Sequence, residues 1–494
     1  MGFWEVLGNA FALFATWENV LFVGLGVMIG TFFGAIPGMT TPMAVALVLP
    51  FTFSMPPVTG ILLLLGVYKG GLYGGSITAI LINAPGTPAA SCTALDGYPL
   101  ARRGEARRAL DIALYASCIA DFISNIALIL FAGMLASLAL AFGSPEQFTL
   151  IMFSLTIIAG VSGDQLLKGF GSAAVGLLLA TIGLDLIYGT DRFTFGDVNL
   201  SAGLNFIPVL IGLFALPEII AYYGRLEVKR EQNPLAGIGA TLADFKRCLT
   251  SIVRGSFIGV ILGAIPGIGG APSAFLSYSE ARRTSPQGDN FGKGELEGVA
   301  AAESGNNGVA GATMIPLLAL GIPGDIITAI ILGAFMIHDL RPGPLLFVEN
   351  LDMIYAIFIG IMLSSAYLLL IGKLSIRLIS RIADVPHRLL FPIVLILCVY
   401  GAYAINNTIF DVSVMFLMGA VGYLMLRLDI PAAPFLIAFI LGPLLEDNFR
   451  QSLLLSKGDY SIFFSSVICW IFWGLTIVAV ALTAWRGLTP KSAS

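Results

Sequence analysis

A chain of 494 residues that is 57% hydrophobic and only 11% charged holds more apolar side chain than a globular core can bury. The mean hydropathy is +0.91, and the long, unalternated apolar runs predict membrane helices rather than barrel strands. The net charge of −4 is spread along the loops without a basic patch, which excludes nucleic acid as a partner.

The apolar runs predict about eleven to thirteen membrane spans, in an all-α polytopic protein. Four of the runs are interrupted by Gly and Pro, and these predict broken or re-entrant helices. In chain order the spans fall near 20–50 (broken), 58–88 (broken), 109–142, 148–162, 170–188, 204–223, 253–279 (broken), 299–337 (broken), 353–372, 389–408, 410–427, 431–446 and 461–485.

Arg and Lys cluster at 102–108, 225–254, 373–388 and 486–491. Because cytoplasmic loops accumulate these residues, we predict that all four clusters face the cytoplasm. The second cluster lies in the only polar break near the middle of the chain. We therefore predict a first membrane repeat at 1–224, a cytoplasmic linker at 225–252, and a second membrane repeat with further C-terminal spans at 253–494.

The two halves resemble each other. GAIPG occurs at 34–38 and at 263–267, so Pro37 aligns with Pro266 at an offset of 266 − 37 = 229. Further on, Pro85 aligns with Pro323 at an offset of 323 − 85 = 238, which fits an insertion within 280–298. The loop after the second break is basic in the first half only. The two loops should face opposite sides of the membrane, which predicts an inverted repeat of the kind found in secondary transporters.

Proline and glycine breaks at membrane depth free backbone groups that must be buried in protein or face a watery cavity. Half-helices that meet there offer amides to an anion and carbonyls to a cation. We predict one central site for an anionic solute and a coupling ion, although each hydroxyl taken alone fits helix packing equally well. The predicted solute ligands are Thr40, Thr41, Lys69, Ser76, Asn83, Thr87, Ser273 and Thr313. The predicted ion site comprises Gly34, Pro37, Gly38, Gly263, Pro266, Gly267, Asn306 and Asn307.

Lys69 is an ionisable residue inside an apolar run, where a charge is costly. It is interpreted as a contact to an anionic substrate, as a side chain reaching an interface, or as the partner of Glu303 or Asp325. Glu303 is either a proton or sodium site or a charge at a loop end. Five further carboxylates are predicted to lie mainly at the membrane interface: Asp121, Asp164, Asp185, Glu218 and Asp411.

Motifs for other functions are weak. The chain has no GxxxxGK[ST], so no P-loop is predicted. GVSG at 160–163 matches a pattern of intramembrane serine proteases, but His338 or His387 would have to serve as its base. PGD at 323–325 lacks a partner aspartate, and five cysteines without CxxC spacing predict buried thiols. We predict that the chain is not an enzyme and binds no metal cluster. An intramembrane hydrolase and a carrier for a non-carboxylate solute stay as the alternatives.

Several long blocks together resemble the large membrane subunit of the tripartite tricarboxylate transporters, nearly from end to end. The blocks are GAIPGMTTP, YGGSITAILINAPGTPAASCTALDGYPLAR, NNGVAGATMIPLLALGIPGD, GAYAINN and LGPLLEDNFRQSLLLSKGD. The family's conserved blocks fall on residues 34–41, 73–76, 83–87, 263–267, 306–307 and 321–324, where the breaks lie.

The resemblance implies a multi-pass importer in the bacterial cytoplasmic membrane for carboxylates such as citrate. It implies a smaller membrane partner of about four spans, a periplasmic solute-binding protein and contact with membrane lipid. Uptake would be driven by a sodium or proton gradient rather than by ATP, with no other cofactor.

Overall fold

The computed structural model describes residues 3–160, 166–185, 188–223, 238–382 and 387–488. Within these ranges most residues are helical and very few lie in strands. Two short antiparallel strands, β1 (Gly183–Leu184) and β2 (Asp191–Arg192), pair Gly183 with Arg192. The predicted all-α class is confirmed.

The helices before the polar middle of the chain are α1 (Phe3–Phe14), α2 (Trp17–Gly34), α3 (Thr41–Thr52), α4 (Pro57–Ile82), α5 (Ala90–Arg102), α6 (Ala106–Ala139), α7 (Ser144–Gly160), α8 (Leu166–Ala180), α9 (Val198–Ser201), α10 (Phe206–Phe214) and α11 (Leu216–Tyr223). Those after it are α12 (Leu242–Gly263), α13 (Gly270–Thr284), α14 (Leu296–Asn307), α15 (Val309–Ala312), α16 (Met314–Leu320), α17 (Ile326–Ile337), α18 (Leu346–Glu349), α19 (Leu351–Ile382), α20 (His387–Asn406), α21 (Ile409–Arg427), α22 (Ala432–Leu455) and α23 (Val467–Leu488).

Six described helices are long and apolar enough to cross a membrane: α2, α4, α6, α19, α21 and α22. Several others are apolar but short. At 1.5 Å per residue, the twelve residues of α3 and of α17 extend only about 18 Å, against a hydrocarbon thickness of about 30 Å. These two helices are the halves of the broken spans that the Pro and Gly residues predict.

The chain divides into two compact units. Unit 1 comprises Met1–Leu135 and Glu218–Gly401, and unit 2 comprises Ala136–Pro217 and Ala402–Ser494. Each unit thus takes one segment from either side of the polar middle. The predicted division at 1–224 and 253–494 follows the sequence repeat instead, and stays a prediction.

The predicted linker at 225–252 is partly helical. Residues 224–237 lie outside the described part, but α12 already begins at Leu242. Thr241 and Asp244 form a capping box that fixes this start, so the second half enters its first long helix before residue 253. Arg108 of α6 pairs with Asp244 and holds the pKa of this carboxyl well below its ordinary value. The first two basic clusters therefore meet, although which side of the membrane they face stays a prediction.

In unit 1 each GAIPG segment forms the tip of a helical hairpin. α2 ends at Gly34 and α3 starts at Thr41, and the turn between them contains Gly38 at φ 85°. α12 ends at Gly263 and α13 starts at Gly270, with Gly267 at φ 89°. Both glycines adopt the left-handed conformation that disfavours other residues, so the same five letters produce the same turn twice.

The two hairpins open toward opposite ends of α4. At the N-terminal end of α4, Thr59 donates a hydrogen bond of 2.6 Å to Asn19 at the start of α2. At its C-terminal end, Ile80 packs against Gly97 of α5, and the neighbouring Asp96 accepts a 2.7 Å hydrogen bond from Tyr278 of α13.

The loops that follow the two PG breaks lie at opposite ends of α4. His338, after α17, lies against Gly60 near the start of α4, whereas Arg103, after α5, lies beside Gly294 near Asp96. From Gly60 to Ile80 is 80 − 60 = 20 residues of helix, or about 30 Å. This arrangement agrees with the predicted inversion of the two repeats.

Glycines allow the helices of each repeat to pack backbone against backbone. A Cβ at Gly30 of α2 would overlap the carbonyl oxygen of Val67 on α4. At the offset of 229, Gly259 of α12 makes the matching close approach to the carbonyl oxygen of Gly305 on α14. Small residues at such spacing are typical of tightly packed membrane helices.

The second repeat has an additional interruption between α14 and α15. Ser124 of α6 donates a 2.6 Å hydrogen bond to the carbonyl of Gly308 and accepts one of 2.8 Å from the amide of Ala312. It thereby pairs two backbone groups at the interruption, as a buried site requires.

Unit 2 is built around α7, α8 and α22. Ser172 of α8 donates a 2.6 Å hydrogen bond to the carbonyl of Pro431, directly before α22. Phe148 of α7 packs against Phe449 and Phe463, with ring centroids 5.3 and 4.7 Å away. These aromatic contacts fix α22 against α7.

Candidate functional site

Residues 68–75 of α4, YKGGLYGG, contact the beginnings of both half-helices of the first repeat. A Cβ at Gly71 would lie 2.8 Å from Oγ1 of Thr41, the first residue of α3. A Cβ at Gly75 would lie 3.1 Å from Cγ2 of Thr87, which precedes α5. Only glycine lets both helix starts approach α4 so closely.

The same stretch reaches the half-helices of the second repeat. Tyr68 donates a hydrogen bond of 2.8 Å to Oδ2 of Asp325, the residue that caps α17. The carbonyl of Leu72 accepts a bond of 3.4 Å from Nδ2 of Asn306. Oδ1 of Asn306 lies against Gly270, where α13 begins.

Three half-helices, α3, α5 and α17, therefore start beside one short segment of α4, and α13 starts against Asn306, which bonds to that segment. Helix N-termini carry unpaired amides and a partial positive charge, which favour an anion. α13 begins after Gly269 without a side-chain cap. Its first amides are therefore not occupied by a capping side chain.

Three buried polar atoms beside the starts of α3 and α13 have no hydrogen-bond partner among the described residues: Oγ1 of Thr41, Oγ of Ser273 and Oδ1 of Asn306, all in residues that are 0% exposed. The hydroxyl of Tyr73, in the α4 segment itself, is likewise unpartnered there. Because buried polar groups are normally paired, such atoms indicate a place for a ligand. The hydroxyls of Thr41 and Ser273 can donate hydrogen bonds to a carboxylate, and the amide oxygen of Asn306 can coordinate a cation.

Glu303 lies deeper in unit 1, with 0% exposure. Its carboxylate accepts hydrogen bonds from Ser76 of α4, Thr93 of α5 and, at 2.9 Å, Ser117 of α6. Nδ2 of Asn307 lies 3.4 Å from it. Glu303 is thus an interior group that joins both repeats, and not a charge at a loop end.

Lys69 forms an internal ion pair with Asp121, so the predicted pairing with Glu303 or Asp325 was wrong. Its Nζ lies 3.0 Å from Oδ1 of Asp121, 2.9 Å from Oδ1 of Asn125 and 3.2 Å from the carbonyl of Ile361. Ser365 donates a further bond of 2.5 Å to Asp121. Three acceptors use the three ammonium donors, so we place Lys69 outside the solute site.

The interfacial assignment of Asp121 was also wrong, because it lies inside α6 and is 0% exposed. Asp411 does lie in the first turn of α21, where it accepts from Thr408. Asp185 pairs with Arg450 in unit 2. Asp164 lies outside the described residues, as does most of GVSG at 160–163.

The other predicted solute ligands have varied surroundings. Thr40 caps α3, and Thr87 accepts from the amide of Ala90. Thr313 donates to the carbonyl of Ala310. Asn83 caps α4 in the left-handed conformation at φ 50° and is exposed.

The residues predicted to bind the ion lie in two different places in the structure. The glycines and prolines among them form the hairpin tips, where the amide of Gly267 donates a 2.7 Å bond to the carbonyl of Gly324. Gly34 and Gly263 end α2 and α12 in close backbone packing. Asn307 donates a hydrogen bond to Ser117 and so belongs to the surroundings of Glu303. It directly follows Asn306, whose Oδ1 has no hydrogen-bond partner among the described residues.

Sequence reasoning missed the polar face of α6. Ser117, Asp121 and Asn125 are four residues apart and therefore lie on one side of the helix. This spacing within an apolar run was the available signal. All five cysteines are free, and four of them are buried, as predicted.

Unit 2 contains a cavity of about 340 Å³ next to Arg192, Glu446 and Arg450. Both arginines already pair with Glu446, at 2.6 Å each. Their charge is therefore compensated, and none of the predicted site residues lines this cavity.

Membrane-spanning helices, paired re-entrant hairpins and a buried polar region at their tips define a multi-pass membrane transporter. The chain belongs to the tripartite tricarboxylate transporter TctA family, whose model matches residues 20–437. The resemblance seen in the sequence is thus confirmed.

Two relatives come from Agrobacterium vitis. An uncharacterized 52.8 kDa protein in the TAR-I ttuC' 3' region is 37% identical over 471 residues, covering 94% of this chain and 93% of the relative. An uncharacterized protein in the TAR-II ttuC' 3' region is 37% identical over 233 residues, covering 47% of this chain and 96% of the relative. No solved structure matches the chain.

Proposed function

We propose that this chain is the large membrane subunit of an importer that moves a small di- or tricarboxylate, such as citrate, across the bacterial cytoplasmic membrane. A sodium or proton gradient drives uptake. A smaller membrane subunit accompanies the chain, and a periplasmic binding protein delivers the solute. Membership of the tripartite tricarboxylate transporter family supports this assignment.

The observation that carries the proposal is the meeting of four helix starts beside two unpartnered hydroxyls, those of Thr41 and Ser273. Helix N-termini supply the positive potential that a multivalent carboxylate needs. The hydroxyls donate to its oxygens without adding a fixed charge, so the solute can also leave.

Uptake of labelled citrate and of a dicarboxylate panel into proteoliposomes tests this function. The vesicles hold the chain with its small subunit, the binding protein is outside, and an inward sodium gradient is imposed with and without a protonophore. We expect uptake that requires the binding protein and one of the two gradients. Absence of uptake for every acid would contradict the proposed substrate class.

Thr41→Val and Ser273→Ala should each raise KM about ten- to a hundredfold, because each removes a hydrogen bond to a charged group worth about 1.5–3 kcal/mol. Thr156→Val and Ser154→Ala are matched controls, since in the described part of the chain these hydroxyls bond to the backbone of α7, at 2.8 and 2.9 Å. Unchanged KM in both site variants would move the solute elsewhere.

A further inference from the structure

The internal repeat pairs Lys69 with Asn307, because 307 − 69 = 238. The same offset pairs Gly70 with Gly308, and the structure supports that pairing. A Cβ at Gly70 would meet the carbonyl oxygen of Val27, and one at Gly308 would meet that of Ser256. Since 256 − 27 = 229, these are equivalent contacts, and Lys69 and Asn307 occupy equivalent positions.

Both residues face α6. Nζ of Lys69 contacts Asp121 and Asn125, while Nδ2 of Asn307 lies 2.9 Å from Oγ of Ser117. Ser117, Asp121 and Asn125 follow one another at intervals of four residues on one side of the helix. α6 therefore presents the same face to the two repeats.

The buried carboxylates beside Lys69 and beside Asn307 differ in whether a positive charge accompanies them. In the first, the buried carboxylate of Asp121 is compensated by the ammonium of Lys69. In the second, the buried carboxylate of Glu303 is surrounded by three hydroxyls and an amide. Within the described ranges, no Lys, Arg or His forms an ion pair with it. A charge buried without a counter-charge is strongly unfavourable.

We propose that Glu303 holds an exchangeable monovalent cation, a proton or Na⁺, in the place that the ammonium of Lys69 fills permanently in the other repeat. The carboxylate and three hydroxyl oxygens are ligands that suit either cation. The inference rests on the proposed function, because it names the group that couples an ion gradient to solute movement. Asn306, three residues further along α14, connects this place to the solute site.

The titratable groups that face Glu303 do not supply the missing charge. Tyr73 on α4 and Cys92 on α5 face it, and Cys118 on α6 lies near Tyr73. Phenol and thiol groups are neutral or negative, never cationic. The positive charge must therefore come from solution.

Thermal unfolding of the purified full chain in detergent provides the first test. NaCl is titrated against choline chloride at equal ionic strength, and a second series varies pH without sodium. Wild type should gain stability with the bound cation, because a ligand of the folded state raises the melting temperature. Glu303→Gln should lose this response. Glu297→Gln, the same change on the same helix, should keep it.

A sodium response in wild type that Glu303→Gln abolishes identifies Na⁺, and a pH response alone identifies the proton. A Glu303→Gln variant that responds to both cations as wild type does overturns the inference. Asn307→Lys adds the permanent ammonium of the other repeat, so it should fold and no longer respond to either cation. An unchanged response in Asn307→Lys also contradicts the proposal.

A test on the wild-type chain does not depend on variant folding. Dicyclohexylcarbodiimide, which modifies protonated carboxyl groups in apolar surroundings, should label Glu303, and Na⁺ or a higher pH should protect it. Asp121 is the internal control and should stay unlabelled because Lys69 pairs with it. Absence of label on Glu303 at every pH overturns the inference. Failure of wild-type vesicles to take up any carboxylate would instead count against the proposed function.

Discussion

At the residue scale, Lys69 shows how a full positive charge is kept inside a membrane protein. Asp121, Asn125 and a backbone carbonyl together use its three donors. In the sequence Lys69 is a lone charge, and its partner follows 121 − 69 = 52 residues later on an unbroken helix. The sequence therefore predicted that Lys69 needs a partner or a cavity, but only the packing of α4 on α6 identifies the partner.

Lys69→Met should be strongly destabilising, by about 3–5 kcal/mol, because it leaves Asp121 charged, buried and unpaired. Lys69→Met combined with Asp121→Asn removes both charges and should recover most of the loss. Thermal unfolding with size-exclusion chromatography measures both variants. A single variant as stable as wild type would contradict the internal ion pair. Loss of solute binding in a well-folded double variant would return Lys69 to the solute site.

Thr41 and Ser273 could be proposed as site residues from the sequence because each lies within a few positions of a GAIPG break, and Asn306 because it lies in the broken span predicted at 299–337. Thr93 and Ser117 could not, since neither lies in a break and isolated hydroxyls are common in membrane helices. Their role appears only when Glu303, from the other repeat, packs between them.

At the element scale, the breaks were the most predictable feature. Proline and glycine stop helices by local chemistry, so GAIPG and PG marked the turns without knowledge of the fold. The start of α12 was less predictable, because Lys246 and Arg247 resemble linker residues. The capping box of Thr241 and Asp244 shows that polar residues can equally form the first turn of a helix.

Gly30→Ala should prevent native packing of α2 on α4, because the added Cβ would overlap the backbone carbonyl of Val67, which cannot move aside as a side chain can. We expect a lower melting temperature and a smaller folded fraction by fluorescence-detected size-exclusion chromatography. Gly171→Ala on α8 is the control, since no described residue has an atom within 4 Å of the added Cβ. Equal stability of the two variants would show that α2 and α4 are not in backbone contact.

At the scale of the whole molecule, the internal repeat could be predicted from the sequence, but the grouping of helices into compact units could not. Offsets of 229 and 238 predicted two related halves. The compact units each combine one segment from either side of the linker, because helices pack by shape and burial rather than by order in the chain. Long-range pairings of this kind leave no local pattern in the sequence.

Inversion of the repeats predicts that single cysteines at Arg102 and Leu345 react from opposite sides of the membrane. Both positions are exposed and follow the equivalent PG breaks. An impermeant maleimide applied to right-side-out and inside-out vesicles measures this. Wild type is the control, since four of its five cysteines are buried. Reaction of both positions from one side would exclude inversion.

The glycine contacts between α2 and α4 have a mechanical consequence. Where Gly26, Gly30 and Gly66 bring main chain against main chain, no rotamer can change to let one helix slide along the other. We therefore expect this helix pair to move as one rigid body. Bending would then be confined to left-handed turn residues such as Gly38, so that hinges, and not repacking side chains, would alternately expose the two faces of the protein.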